Sequence, residues 1–411
     1  MLVYVLNKYE KPLMPCKPAK ARKLLKNKKA IVINREPFTI KLLYGSSGYK
    51  QNISLGVDPG SKIIGLSATT EKKELFASNV ELRNDIVNLI STRKEYRKNR
   101  RSRKTRYRKP RFDNRRKKEG WIAPSIKNKI DTHLKVIENI YKILPITKLI
   151  VETASFDIQK IKNPRISGEE YQKGVQLNFY NIREYILTRD NHICQHCKGK
   201  SKDSILNVHH IESKKIGGNS PDNLITLCKT CHMDFHNGKI DLNFKRKSSF
   251  RDATFMGFIG QRLYEILKKI YVNVHVTYGY ITKNIRIKQG LPKEHYVDAR
   301  CISGNPNVEP LDYYFYQKKV RRHNRQIHRG NPKKGKRSLN QAPYIVKGFR
   351  LYDKVLYNNQ ECFIFGRRRN GYFLLKRLDG TIIHGTANYK KLKLLVPRKG
   401  YLIERRLAFC S

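Results

Sequence analysis

Residues 194–197 read C-Q-H-C, residues 207–211 read N-V-H-H-I, and residues 221–236 read P-D-N-L-I-T-L-C-K-T-C-H-M-D-F-H. Two Cys-x-x-Cys pairs, Cys194/Cys197 and Cys228/Cys231, bracket about thirty residues, the spacing of a tetrahedral four-thiolate zinc site. Zinc held by four sulfurs has no open position, so that metal would be structural, a staple for a small hairpin-plus-helix fold. His232 and His236 are four apart, share a helical face and can reach a second metal, with His209 converging from the strand side. That leaves His210 free to act as general base on a water attacking a phosphodiester. Asn223 follows the turn residues Pro221 and Asp222 and would orient either the loop or the base histidine.

His-His, then Asn, then His-x-x-x-His inside a Cys-x-x-Cys frame resembles the HNH nuclease family over roughly residues 185–240. A bland zinc ribbon needs the four cysteines but has no use for the other five residues.

The rest of the chain is strongly basic. Of its 411 residues, 87 are Lys or Arg and 33 are Asp or Glu, a formal charge of +54. Such an excess self-repels unless a polyanion neutralises it, which points to nucleic acid ahead of an anionic membrane surface. No apolar run reaches transmembrane length, and the first residues become charged too soon for a signal peptide. Cys16, Cys301, Cys362 and Cys410 are scattered, a pattern that fits a reducing cytoplasm and no disulfide scaffold.

Outside the zinc frame, three carboxylates stand at the ends of regular elements. Asp58 closes the alternating stretch I-S-L-G-V-D before the Pro59-Gly60-Ser61 turn, and Ile63 to Ala68 returns. Apolar residues at Ile126, Ile130, Leu134, Ile137 and Tyr141 mark an amphipathic helix over 125–144, stopped by Pro145. The apolar run K-L-I-V-E-T then ends at Glu152; a helix feeding such a strand predicts a crossover that lays it parallel to the Asp58 strand. Past a second amphipathic helix, Phe258 to Ile270, the stretch 272–287 reads as one or two strands, and in K-E-H-Y-V-D-A-R His295 and Asp298 share a helix face. Asp58, Glu152 and Asp298 can together hold two magnesium ions about 4 Å apart for phosphodiester hydrolysis.

Three basic stretches complete the chain. Residues 1–50 carry P-L-M-P and a short basic helix before two strands, either a phosphate grip or a solvated cap. Residues 93–118 are an arginine-dominated block, disordered or a helix laid along nucleic acid. Residues 303–342 read as a basic segment that is flexible or ordered by RNA, and the last seventy or so alternate as a small antiparallel barrel, a nucleic-acid scaffold or a purely structural domain.

The order of V-D-P-G-S-K, the arginine block, I-V-E-T, the HNH stretch and E-H-Y-V-D-A-R resembles the IscB family, compact relatives of the type II CRISPR effector nucleases. The resemblance implies an α/β fold: a split RNase H-like (RuvC-like) core, an inserted zinc-stapled HNH module of ββα-metal type, an arginine-rich bridge helix and a small C-terminal β-barrel-like domain. Its segments would be a basic PLMP-type module (1–50), RuvC-like segments at 51–90, 121–184 and 246–304, the bridge helix (91–120), the HNH module (185–245), a basic RNA-contacting linker (305–342) and the C-terminal β-domain (343–411).

The function so implied is RNA-guided cleavage of double-stranded DNA beside a short flanking motif. His210 and Asn223 would serve the HNH centre, with one magnesium on His209, His232 and His236, and cut the guide-paired strand. Asp58, Glu152, His295 and Asp298 would cut the displaced strand with two magnesium ions. Arg93, Arg97, Arg100, Arg101, Arg103, Arg106 and Arg108 would contact nucleic acid, and the partners would be a guide (omega) RNA and target DNA, with a monomeric protein in the ribonucleoprotein. A DNA-only HNH endonuclease, a transposase of the RNase H fold and a non-catalytic RNA-binding protein are the competing readings. The first leaves the three carboxylates unexplained, the second has no need of His210, and the third uses neither centre.

Overall fold

The computed structural model describes residues 1–102, 122–153, 182–213, 221–244, 251–321 and 343–408. The chain forms two compact units, one from residues 1–154 and 258–411, the other from the intervening residues 155–257.

The first unit opens with β1 (Val3–Leu6), β2 (Pro12–Cys16), α1 (Pro18–Lys26), β3 (Ala30–Arg35) and β4 (Phe38–Leu42). These strands make a four-stranded sheet, order β2-β1-β4-β3, closed by Val3, Val5, Leu13, Ala21, Ile40 and Leu42. Sequence reading finds α1 and the later strands but not β1 and β2; β2 carries Pro12 and Pro15, which read as turns and are tolerated here because β2 is an edge strand.

Next come β5 (Ser54–Pro59), β6 (Ile63–Thr69), β7 (Glu74–Glu81), α2 (Ile86–Ser102), α3 (Pro124–Tyr141) and β8 (Lys148–Thr153). The second unit holds α4 (Ile182–Arg189), β9 (Leu206–His210), β10 (Leu224–Cys228) and α5 (Lys229–His236). Then follow α6 (Arg251–Ile270), β11 (Val274–Tyr278), α7 (Gly279–Lys288), α8 (His295–Ile302), β12 (Tyr313–Lys319), β13 (Lys354–Tyr357), β14 (Gln360–Arg367), β15 (Tyr372–Lys376), β16 (Ile382–Asn388), β17 (Lys393–Val396) and β18 (Tyr401–Leu407). Among the described residues no helix is long and apolar enough to cross a membrane.

A seven-stranded mixed sheet, order β11-β8-β5-β6-β7-β12-β18, carries the first unit. As expected, β5 and β8 are parallel neighbours, and β11 adds in parallel beyond β8. Leu55, Val57, Ile64, Leu66, Leu149 and Val151 pack with Val136, Ile137 and Ile140 of α3 and Leu263 and Leu267 of α6. Each such side chain contributes roughly 1.5–3 kcal/mol when withdrawn from water. α8 lies on the opposite face: Tyr296 and Val297 meet Ala77, whereas its neighbour Phe76 points into the α3 side.

Four expectations shift. The arginine-rich helix begins at Ile86, ahead of the charge block, and residues 103–121, with Arg103, Arg106 and Arg108, lie outside the described residues. Residues 279–288 are the helix α7, not a second strand. The stretch expected as a linker, 305–342, contains β12, a strand of the main sheet between β7 and β18; its residues 322–342 lie outside the described ones. In place of a barrel, β13–β17 form an antiparallel sheet of order β16-β15-β14-β13-β17 whose end strands are not paired with each other among the described residues, and β18 leaves it for the main sheet.

Candidate active sites

In the second unit the hairpin β9–β10 pairs His209 with Ile225 and His210 with Leu224, so the two histidines point to opposite faces of the hairpin. α5 follows β10 directly and is capped by Cys228, whose sulfur accepts the Cys231 amide at 3.5 Å. The sulfurs of Cys194, Cys197, Cys228 and Cys231 all lie within 4.8 Å of one another, and Cys197 and Cys228 are 3.9 Å apart. Thiolates about 2.3 Å from a tetrahedral zinc stand about 3.8 Å from each other, so the four fit that ion. Asp203 reinforces the corner by accepting the Thr230 amide at 2.8 Å and the Ile205 amide at 3.0 Å.

The expected histidine triad is also assembled. Ring nitrogens of His209, His232 and His236 lie within 4.8 Å of one another. Burial, then the neighbouring His232, His236 and His210, push the His209 imidazole down to about 4, and burial and His236 lower His232. Neutral imidazoles present the lone pairs that a divalent cation requires, so the donor set suits one. Asn223 is fully buried; its amide donates to the Glu212 carbonyl at 2.9 Å and its oxygen accepts the Glu212 amide at 2.8 Å. These two bonds tie Asn223 to the loop two residues beyond His210.

In the first unit, Asp58 and Glu152 directly follow the paired residues Val57 and Val151 at the carboxyl ends of parallel strands. His295, at the start of α8, bonds through Nδ1 to Asp58 Oδ2 at 2.6 Å, joining residues 237 positions apart. Asp298 lies one turn along the same helix. Burial raises Glu152 to about 7; the Thr282 hydrogen bond at 2.7 Å opposes this and the charges of Asp58 and Asp298 add to it. Burial and Asp58 raise Asp298 as well, and the bond to Asp58 raises His295. The carboxylates thus feel one another, and mutual repulsion of this kind is relieved by cations. They are not gathered within a single ion's span: among the described residues, the cysteine and histidine groups are those that are.

Two residues of this site escaped sequence reading. Thr282 holds Glu152, and Arg286 stands 2.9 Å from Asp298. Both lie on α7, four apart, a spacing that shows one face only once the segment is known to be helical. Two glycines were missed too. A β-carbon at Gly65 would lie 2.0 Å from the His295 carbonyl oxygen, and one at Gly56 would lie 2.0 Å from that of Ala299. Their hydrogens are what let α8 rest on the sheet backbone.

A family model described as HNH endonuclease matches residues 194–238, and one described as RRXRR protein matches residues 3–174. The first places in this chain an HNH domain, a metal-dependent DNA endonuclease. An RRXRR segment followed by an HNH domain in one chain is consistent with an IscB-like protein. Among solved structures, the crystal structure of Streptococcus thermophilus Cas9 in complex with the AGAA PAM is 13% identical, with 51% of this chain and 30% of that one covered and a TM-score of 0.34. The chain therefore spans under a third of that Cas9, and a likeness this faint adds nothing to the reading of the site. A comparison with curated proteins returned no match.

Proposed function

We propose that the chain is an RNA-guided nuclease that cuts both strands of a DNA duplex, each at its own centre, beside a short flanking motif. The observation that carries the two-centre reading is the convergence of Asp58, Glu152, His295 and Asp298 in the unit that lacks the HNH histidines. A DNA-only HNH endonuclease has no use for that second constellation. The first unit is then a split RNase H-like core, interrupted by the HNH module, with α2 as its bridge helix.

In the HNH centre, His210 takes the proton from the attacking water, His209, His232 and His236 hold the cation, and Asn223 fixes the loop that follows the base. In the other centre, Asp58, Glu152 and Asp298 hold two magnesium ions, and His295, tied to Asp58, stands ready to exchange a proton with the reacting water or phosphate. The ions supply charge stabilisation of the attacking and leaving oxygens. The HNH centre cuts the guide-paired strand and the carboxylate centre cuts the displaced one, as the IscB resemblance implies.

RNA guidance is supported by that same resemblance and by the charge of +54. Arg93 and Arg97 are exposed one turn apart on α2 and suit a phosphate backbone; Arg100 and Arg101 continue that helix, and the five-stranded sheet is assigned to RNA and the flanking motif. The protein works as a monomer in the ribonucleoprotein.

The test is strand-resolved cleavage with the RNA that co-purifies when the protein is expressed with its flanking non-coding DNA. His210→Ala should leave only the displaced-strand cut and Asp58→Ala only the guide-paired cut. Loss of both cuts from either change overturns the two-centre reading, and random RNA, or none, overturns guidance.

A further inference from the structure

Tyr278 ends β11 and Tyr280 is the second residue of α7, and their rings lie parallel, 10° between planes with centroids 6.1 Å apart. Both face solvent, 45% and 67% exposed. An isolated exposed tyrosine needs no explanation, but two parallel, exposed rings side by side in the chain leave apolar ring surface uncovered on which a base can stack. Their place in the fold is specific. Thr277, the residue before Tyr278, pairs with Glu152 across the β11–β8 ladder. Gly279, between the two tyrosines, lies so close to Glu152 that an added β-carbon would be 3.0 Å from Oε1. Two residues beyond Tyr280, Thr282 donates to the same carboxylate at 2.7 Å. The next turns of α7 expose Lys283 and Lys288.

We propose that Tyr278 and Tyr280 form a stacking platform for an unpaired nucleobase of the DNA strand entering the carboxylate centre. The proposal rests on the two-centre reading above. Aromatic rings accept any base face, and lysines on the same helix attract the flanking phosphates, so the platform needs no particular sequence. A duplex, whose bases are already stacked, cannot use it; a separated strand can. The platform would hold the nucleotide beside the scissile phosphate, so that Asp58, Glu152 and Asp298 meet the backbone in a defined register.

The full chain, held in calcium, is mixed with a single-stranded oligonucleotide bearing one 5-iododeoxyuridine, irradiated and digested for peptide mapping. Cross-linking at Tyr278 or Tyr280 is expected; cross-links confined to other regions overturn the platform. In strand-resolved cleavage, Tyr280→Ala should slow the Asp58-dependent cut about tenfold relative to the His210-dependent cut in the same reaction, with Tyr280→Phe restoring it. An unchanged ratio, or a loss that phenylalanine does not rescue, overturns the stacking role. Asp58→Ala separates the two ideas: if it leaves both cuts intact, the two-centre reading itself falls.

Discussion

Arg286 Nε stands 2.9 Å from Asp298 Oδ1, yet neither buried atom has an aligned hydrogen bond among the described residues. The guanidinium pulls the Asp298 carboxyl down against the burial that raises it, as a bound cation would. It also competes with that cation. A unit charge about 5 Å away is worth roughly 3 kcal/mol at an effective dielectric of 20, less where solvent screens it. Arg286→Gln should therefore tighten manganese binding at the carboxylate centre by about tenfold or more. Calorimetric titration in a His236→Ala background, which weakens the HNH ion site, reads this directly. Unchanged or weaker binding would mean that Arg286 helps to build the site.

Gly65→Ala puts a methyl group where the His295 carbonyl oxygen already sits, 2.0 Å from the new carbon. That neighbour is helix backbone, so α8 must move as a body and carry His295 and Asp298 with it. The expected cost is about 1–3 kcal/mol of stability, with selective loss of the Asp58-dependent cut. A melting curve and strand-resolved cleavage check both parts; full displaced-strand activity in a folded variant would contradict the packing argument.

Asn223→Asp tests the loop clamp behind His210. A carboxylate keeps the bond from the Glu212 amide but loses the donor that reaches the Glu212 carbonyl. Leaving that site with a buried charge and an unmet acceptor should cost about 1–3 kcal/mol and slow the His210-dependent cut. Asn223→Asp should be more damaging than Asn223→Ala, which buries no charge. The reverse ranking would show that the amide donor is dispensable.

His133 on α3 is fully buried, its Nδ1 facing the Lys129 carbonyl at 2.8 Å, and burial pushes its pKa down to about 4. The unfolded chain takes up this proton near the ordinary value of 6.5, the folded chain only near 4. The unfolded state thus binds more protons between those limits, and stability falls as pH is lowered from about 6.5 to about 4, by roughly 3 kcal/mol across the window. His133→Gln should flatten that acid limb in melting temperature against pH. An equally steep limb in the variant would assign the proton uptake elsewhere.

How much of this was legible in the sequence differs between the two centres. The HNH constellation is compact: its cysteines and histidines fall within forty-three consecutive residues, Cys194 to His236, so short-range spacing and helical period bring them together with little help from distant chain. The carboxylate centre gathers residues from Asp58 to Asp298. Sequence reading placed Asp58 and Glu152 on neighbouring parallel strands because an apolar strand after an amphipathic helix has few other ways to pair.

The sequence alone determined the four-cysteine frame, the candidate bases and ligands, the basic character and the two strands and one helix that carry the carboxylates. These follow from residue type and local period. Only the tertiary structure decided that α7 is a helix, which brings Thr282 to Glu152 and Arg286 to Asp298. It alone decided that β12 and β18 complete the main sheet, and that Gly56 and Gly65 are where α8 touches it. A glycine in a strand, a tyrosine-rich run between basic segments and a polar helix each satisfy several local patterns equally well. The partner that selects one of them lies tens or hundreds of residues away, where local propensity carries no information.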